Sequence, residues 1–419
     1  VTEKKGGPDA ARLSLLLIQL GHDLHMKIMK VLTRVSFALA LALALIAAAS
    51  PPARVSSNPT PADLSFPHYD HVIVIVEENE GYGAIINNPS APTISALARD
   101  YGNATAFYAE THPSEPNYVA MIGGDTYGIQ DDDAYYCKPA STDGDPHCPH
   151  AGKPGYVDHS IAGPSLPSQL EAAGLAWRGY FGAFDPAHPM AVFNAAGGGK
   201  PAGLYASKHN PFLNFVQLRN ERSFAKHLAS LDRFKDDLAG ASLPNFSFVI
   251  PDQCDDMHGI DAGPNVPQDC ESANRQARIA RGDAFVKQLM NEIQSSPTWK
   301  SATNNVAVVI TFDENDDEAR ASGAQGCCGS DPAKKANGGG GLIPTIVITN
   351  HGPRGVIDAT PYNHYSLLRT IEDAFGIHQY LGAAGDWQAG VRPMTPLFAV
   401  RRSGRALGLS GRQAATRLR

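Results

Sequence analysis

Three stretches of the chain are unbroken apolar, β-branched runs of strand length: His71–Val76 (HVIVIV), Val306–Thr311 (VAVVIT) and Ile343–Thr349 (IPTIVIT). A strand with one wet face alternates apolar and polar residues. Unbroken runs predict strands covered on both faces, as in a parallel sheet. Phe246–Ile250 (FSFVI), Ala104–Ala109 and Ala176–Phe181 read as further strands. Helical patterns fall between them. Pro92–Tyr101 has proline near its start and Gly102 after its end. Ser114–Ile122 has Ser114 at the N-cap, Pro116 in the first turn and Gly123-Gly124 as the stop. Ser165–Ala173, Ser223–Leu238, the amphipathic Ala273–Gln294 and Asn363–Phe375 complete the set. Strands alternating with helices predict an α/β layered fold, and no internal repeat is visible.

Two regions break this rhythm. Residues 125–163 are loop-rich and hold Asp131-Asp132-Asp133, Cys137 and Cys148, and residues 182–222 are irregular. The stretch 125–222 is therefore expected to hold most of a variable cap inserted in the sheet domain. The N-terminal part has another pattern. Residues 36–49 (SFALALALALIAAA) follow Met26-Lys27-Ile28-Met29-Lys30 and Arg34 and end in small residues before Ser50-Pro51-Pro52. A basic start, a short apolar centre and a small-residue end predict a secretory signal peptide, cut after Ala49. Met26 is then the expected start, and residues 1–25 an over-extended reading frame. An uncleaved N-terminal anchor is the alternative. Residues 50–66 read as a linker, and residues 399–419, with six arginines in 401–419, as a basic flexible tail.

Composition narrows the classes. The 419 residues are 43% hydrophobic and 18% charged, which excludes wholesale disorder and a coiled coil. A net charge of −7 disfavours a nucleic-acid partner. Export to an oxidising periplasmic or secreted location would make Cys137, Cys148, Cys254, Cys270, Cys327 and Cys328 disulfide candidates. Six cysteines allow about 15 pairings. Cys137–Cys148 and Cys254–Cys270 are the short-loop options, with Cys327 and Cys328 expected to bond to other segments. No C-x-x-C pair favours a zinc site.

Ligands of open α/β sheets sit at the carboxyl ends of the strands. HVIVIV is followed by Glu77, Glu78 and Asn79. FSFVI is followed by Pro251, Asp252, Asp255, Asp256 and His258, and VAVVIT by Phe312, Asp313, Glu314, Asn315, Asp316, Asp317 and Glu318. Each cluster alone is an ordinary solvated turn or cap. Three delivered to one sheet edge crowd carboxylates, and the usual remedy is a bound cation. A fourth piece is Thr111-His112-Pro113-Ser114-Glu115-Pro116-Asn117-Tyr118. A serine at a helix N-terminus faces free N–H groups and the positive dipole end, which stabilise an alkoxide and an attached phosphate. A plain N-cap is the bland alternative. No G-x-S-x-G elbow surrounds Ser114, so activation by the metal fits better than a hydrolase triad.

The order of these pieces resembles the alkaline-phosphatase-like superfamily. More narrowly, it resembles the phosphoesterase family of bacterial acid phosphatases and phosphatidylcholine-hydrolysing phospholipases C. The carrying residues are HVIVIVEEN, THPSEPNY followed by GGDTYGI, PDQCDDMHG, ITFDENDD and YNHYSLLRTIEDAFG, across 68–398. The resemblance implies a single domain, 67–398, folded as a layered sandwich. Its central sheet is mainly parallel, with helices on both faces and an inserted cap.

It also implies Ser114 as nucleophile and metal ligand, and Glu78, Asn79, Asp313 and Glu314 as ligands. Asn117 would support the phosphate pocket. Asp252, Asp256 and His258 would complete the site or hold a second metal. His364 and His351 compete for a late histidine role, and Arg369 and Glu372 are expected to be scaffold. Two-zinc relatives carry Asp-His where this chain has Asp313-Glu314, and one Asp where it has Glu78-Asn79. This oxygen-rich set makes Ca²⁺, Mg²⁺ or Mn²⁺ as fitting as zinc, with one or two ions.

The implied reaction is in-line attack of Ser114 on a phosphate ester through a phosphoseryl intermediate. His258 or His364 would protonate the leaving alcohol. A phosphomonoesterase of the acid phosphatase kind is the first expectation. Larger phospholipases of the family carry C-terminal domains, and this chain ends soon after 398. A phospholipase C-type phosphodiesterase acting on phospholipid head groups is the second. A sulfatase lacks its C/S-x-P-x-R motif here. The rival outside enzymes is a non-catalytic metal-binding periplasmic protein. No transmembrane anchor is expected after signal cleavage.

Overall fold

Val72–Val76 are all fully buried, as a run of branched apolar residues with no polar face requires. They lie in β1 (His71–Glu77), near the middle of an eight-stranded sheet of order β5-β4-β6-β1-β7-β8-β2-β9. The other strands are β2 (Gly102–Ala104), β4 (Trp177–Phe181), β5 (Leu228–Ser230), β6 (Phe246–Ile250), β7 (Val306–Phe312), β8 (Thr345–Thr349) and β9 (Val356–Asp358). Neighbours from β5 through β7 pair in parallel. β8 runs antiparallel to both β7 and β2, and β9 is parallel to β2. The fold is thus α/β with a mainly parallel central sheet.

The computed structural model describes residues 66–141, 144–316, 325–331 and 333–398. They belong to one unit, Leu64–Arg419. The expectations for the signal peptide, for the linker before Phe66 and for the arginine-rich tail lie outside the described residues, as do Asp317 and Glu318. Among the described residues no helix is long and apolar enough to cross a membrane.

Six helices of seven residues or more pack around the sheet: α1 (Pro92–Asp100), α2 (Ser114–Gly123), α3 (Leu166–Ala172), α4 (Leu231–Ala239), α5 (Arg275–Ser295) and α6 (His364–Ala374). Most bounds match the sequence pattern within two residues. Three expectations are corrected. Ala104–Ala109 is not one strand. It divides after Ala104, and Phe107–Tyr108 (β3) leaves the main sheet to pair with Tyr362–Asn363 (β10). Ser223–Leu238 is not one helix. A short turn gives way to β5, whose Leu228–Ser230 pair with the β4 edge before α4 begins. Ser114 is the first helical residue of α2, with Pro113 at the cap.

Within 125–222, α3 and β4 join the sheet layer. Residues 125–141, 144–165 and 182–226 form irregular walls. Gly340 packs so closely on this framework that a Cβ there would strike the carbonyl of Thr111, which fixes the loop entering α2. The disulfides are Cys137–Cys148, Cys254–Cys270 and Cys327–Cys328. The last pair corrects the expectation of bonds to other segments: the two neighbours bond to each other.

Candidate active site

The register places Glu77 beside Phe312, and Ile75 beside Val249. β1, β6 and β7 therefore end together, and the residues after them meet at one sheet edge. Glu78, Asp256 and Asp313 are all fully buried there. The N–H of Glu78 donates to the carbonyl of Asp256 at 2.8 Å. The N–H of Asn79 donates to Asp313 Oδ1 at 3.0 Å. That bond needs Asn79 in the left-handed region, at φ 53°, which asparagine tolerates better than most residues.

α2 aims its N-terminus at this edge. The Ser114 hydroxyl donates to Glu78 Oε2 at 3.3 Å, and the Tyr118 hydroxyl donates to Glu78 Oε1 at 2.9 Å. Ser114 also lies against Asp313. Asn117, one turn into the helix, faces back to the loop. Its Oδ1 accepts from the N–H groups of Glu110 and Thr111, and its Nδ2 donates to the carbonyls of Thr111 and Pro113. Its amide thereby locks the segment that presents Ser114.

A loop from the irregular wall closes the site. His209 Nε2 lies 2.9 Å from Glu78 Oε1, and its Nδ1 lies 3.8 Å from Asp256 Oδ2. Its ring stacks on Tyr118 with centroids 5.1 Å apart. Neighbouring Lys208 reaches Asp132 Oδ2 at 3.1 Å. Burial works to raise the pKa of Glu78, but His209 and Lys208 outweigh it, and the carboxyl is held well below its usual range. Asp313 and Asp256 are pushed the other way, by burial first and then by the Glu78 charge. His258 is pushed down to about 4 by burial and by Lys208. Its Nδ1 is 2.6 Å from the Gly259 carbonyl. A neutral ring then donates from Nδ1 and keeps its lone pair on Nε2.

The remaining expected residues have the following partners. Asp252 Oδ1 accepts from the N–H groups of Cys254 and Asp255, capping its own turn. Burial and Asp255 raise it to about 6. Glu314 is buried and 2.5 Å from His112 Nδ1. His364 is fully buried behind the strand end. Its Nε2 donates to the carbonyl of Phe312 at 3.0 Å, and burial lowers it to about 4. His351 is exposed, with Asn305 at 3.5 Å. It follows β8, which runs against its neighbours, so it emerges at the opposite sheet edge beside the start of β7. Arg369 donates to the carbonyl of Ala384 and Glu372 accepts from the N–H of Leu381, both within the scaffold.

His209 and Lys208 went unnoticed in the sequence, and Tyr118 stood in the THPSEPNY segment without a role. Tyr118 is four residues after Ser114 and so shares its helix face, a readable signal. Lys208-His209 follows no strand, and only its position in an irregular stretch could have drawn notice.

The donor set fits a hard divalent cation. Glu78, Asp256 and Asp313 are buried at one sheet edge, and Oδ2 of Asp256 and Oδ2 of Asp313 accept no hydrogen bond among the described residues. Buried carboxylate oxygens without donors are costly unless protonated or bound to a cation. Among the described residues, the grouping that brings three ligand-type atoms within 4.8 Å of one another is Asp131, Asp133 and His150, and the Glu78, Asp256 and Asp313 carboxylates are spaced more widely than that.

Comparison with known proteins identifies the family. The profile of the Phosphoesterase family matches residues 84–378. A phosphatidylinositol-3-phosphatase of Mycobacterium tuberculosis is 31% identical over 75% of this chain and 79% of its own length. An acid phosphatase of Aspergillus fumigatus is 24% identical over 68% of this chain, which spans only 50% of that protein. Among solved structures, a Vibrio parahaemolyticus protein of the alkaline phosphatase superfamily matches with a TM-score of 0.45 and 14% identity. That match covers 77% of this chain and 72% of the other. The chain belongs to the Phosphoesterase family and is a hydrolase acting on phosphoric ester bonds.

Proposed function

We propose that this enzyme is an exported, metal-dependent phosphomonoesterase that works through a phosphoseryl intermediate on Ser114. The observation that carries the reading is the placement of the Ser114 hydroxyl at the start of α2, 3.3 Å from Glu78 Oε2 and beside Asp313. The positive N-terminal end of α2 suits the phosphoryl oxygens, and the carboxylates suit a cation. Glu78, Asn79, Asp313 and Ser114 would hold a divalent ion, with Asp256 as a further ligand. Such an ion supplies Lewis-acid polarisation and lowers the pKa of a bound hydroxyl.

The chain's own residues divide the remaining work. Ser114 attacks phosphorus in line with the leaving oxygen. Its proton passes to Glu78 Oε2, to which the hydroxyl already donates, and is returned to the departing alkoxide as the phosphorus–oxygen bond breaks, so that an alcohol leaves. Lys208 and the helix N-terminus hold charge on the phosphoryl oxygens, where most of the catalysis arises. His258, neutral with its lone pair on Nε2, takes the proton from the hydrolytic water. His209 keeps Glu78 ionised and oriented. His364 and Asn117 position the strand end and the serine loop. The similarity to a phosphatidylinositol-3-phosphatase makes a phosphorylated lipid head group the first substrate class to try. Export is supported by residues 36–49 and by the disulfides Cys137–Cys148 and Cys254–Cys270.

The test is hydrolysis of p-nitrophenyl phosphate against bis-p-nitrophenyl phosphate, with EDTA, with metal add-back and with Ser114→Ala. Monoester turnover that needs both Ser114 and metal supports the reading. Preference for the diester moves it to a phospholipase C-type reaction. Turnover unchanged in Ser114→Ala removes the nucleophile.

A further inference from the structure

The three successive aspartates after α2 each have their own basic partner. Asp131 Oδ1 lies 3.1 Å from Nε2 of the fully buried His159, whose Nδ1 lies 2.9 Å from Glu115 Oε1. Asp133 Oδ1 lies 2.7 Å from His150 Nδ1, and its Oδ2 accepts from the His150 N–H at 3.0 Å. Asp132, between them, does something different. Its Oδ1 accepts from the backbone N–H of Glu115 at 2.9 Å, in the first turn of α2 and next to Ser114. Its Oδ2 takes the Lys208 ammonium at 3.1 Å. A carboxylate thus bridges a helix N-terminal amide and a lysine at the position where the reacting phosphate needs both.

We propose that Asp132 is an internal stand-in for a substrate phosphoryl oxygen, and that a phosphomonoester binds by displacing it and taking over the Glu115 N–H and Lys208. This rests on the assignment of Ser114 as the phosphoryl acceptor. Carboxylate and phosphate oxygens are interchangeable acceptors for a helix N-terminus and a lysine. The flanking residues make displacement feasible. Asp131 and Asp133 are pinned by their histidines, with side chains 15% and 1% exposed, whereas Asp132 is 28% exposed. Its side chain can turn outward while the backbone stays anchored on both sides. The arrangement also selects by charge. A dianionic monoester replaces the carboxylate with a stronger partner for Lys208, and a singly charged diester competes less well. Asp132 and Lys208 are then specificity-determining residues.

The test is calorimetric titration of the full chain with inorganic phosphate, comparing wild type with Asp132→Asn and Lys208→Met. Removing the competitor should tighten phosphate binding several-fold. Removing the lysine should weaken it on the order of ten-fold or more, as loss of a charged hydrogen bond implies. Unchanged or weaker binding in Asp132→Asn would show that Asp132 serves only to orient Lys208 and would overturn the proposal. A crystal of the wild-type protein soaked in inorganic phosphate gives a readout free of folding effects. Asp132 turned away, with the anion on the Glu115 N–H and Lys208, supports the proposal. Asp132 still bonded to Glu115 beside bound phosphate overturns it. The Ser114→Ala ester assay stands apart. Turnover untouched by that change rejects the site reading whatever the phosphate titration shows.

Discussion

Ser114 and Tyr118 lie one turn apart on the same helix and grip the two oxygens of one carboxylate, that of Glu78. With His209 on the same Oε1, the acid has three partners and no freedom to rotate. Tyr118 cannot supply a proton at neutral pH, because burial and then Glu78 raise its hydroxyl well above the ordinary range. Its role is therefore to hold Glu78. Tyr118→Phe should lower kcat about ten-fold, the order expected for one hydrogen bond to a charged group, and leave KM nearly unchanged. Steady-state kinetics on p-nitrophenyl phosphate would check the split, and a rise in KM alone would place Tyr118 on the substrate instead.

Asn117 gives a contrasting expectation. Four hydrogen bonds join its buried amide to residues 110, 111 and 113. Asn117→Ala leaves buried backbone groups without partners, at roughly 1–3 kcal/mol each before relaxation. Urea denaturation should show a loss of about 2 kcal/mol or more, together with loss of activity. Unchanged stability with low activity would instead put Asn117 in contact with substrate.

The cation reading predicts a thermal shift. Mn²⁺, Mg²⁺, Ca²⁺ or Zn²⁺ added to EDTA-treated protein should raise Tm, by about 3 kcal/mol of stabilisation at a hundred-fold excess over Kd. In Asp313→Asn the shift should vanish while the fold persists. An equal shift in that variant would place the stabilising ion elsewhere, with the Asp131, Asp133 and His150 grouping the next to mutate.

Glu110 sets a pH dependence. Burial raises its carboxyl to about 8, against donors from His364, Tyr365 and Asn363 that lower it. The folded state therefore binds a proton that the unfolded chain has released above its ordinary value of 4.5. Stability from this group is full below pH 4.5 and is lost as pH rises through 8. Metal-free protein should melt at a lower temperature at pH 8.5 than at pH 5.5. Glu110→Gln should flatten that slope, and an unchanged slope would assign it to other groups.

The Cys254–Cys270 bond brackets Asp256 and His258. Closing a loop of 16 residues is worth about 3 kcal/mol in the chain-entropy picture. Replacing both cysteines by serine should lower stability by that order. It should also reduce turnover beyond any effect at Cys137–Cys148, whose loop carries none of the carboxylates around Ser114. Equal effects of the two pairs on turnover would count against a local role.

Much of this architecture was legible because a parallel sheet buries both faces of its strands. HVIVIV, FSFVI and VAVVIT stand out as apolar runs, and the acids that follow them mark the sheet edge. Strand direction was not legible. β8 looks like its neighbours, yet it runs the other way and carries His351 to the far edge. Nor could apolar content separate β5 from the helix that follows it, because Leu228–Ser230 is too short to show a period. Lys208 and His209 come from an irregular loop whose path depends on packing rather than on local propensity. His364 was legible at the start of a helix, but its burial and its bond to the Phe312 carbonyl depend on tertiary contacts that spacing does not encode.

Glu77 and Glu78 are adjacent and both fully buried, yet only Glu78 has side-chain partners; both oxygens of Glu77 lack hydrogen bonds among the described residues. Glu77 is the last residue of β1 and Glu78 the first beyond it, so where the strand ends decides which glutamate serves the site. One residue inserted or deleted within 71–77 would exchange the two acids and leave composition and hydropathy almost untouched. Homologues should therefore vary freely in apolar residue identity along this strand while keeping its length fixed, and design on this scaffold should treat strand length as strictly as it treats the nucleophile.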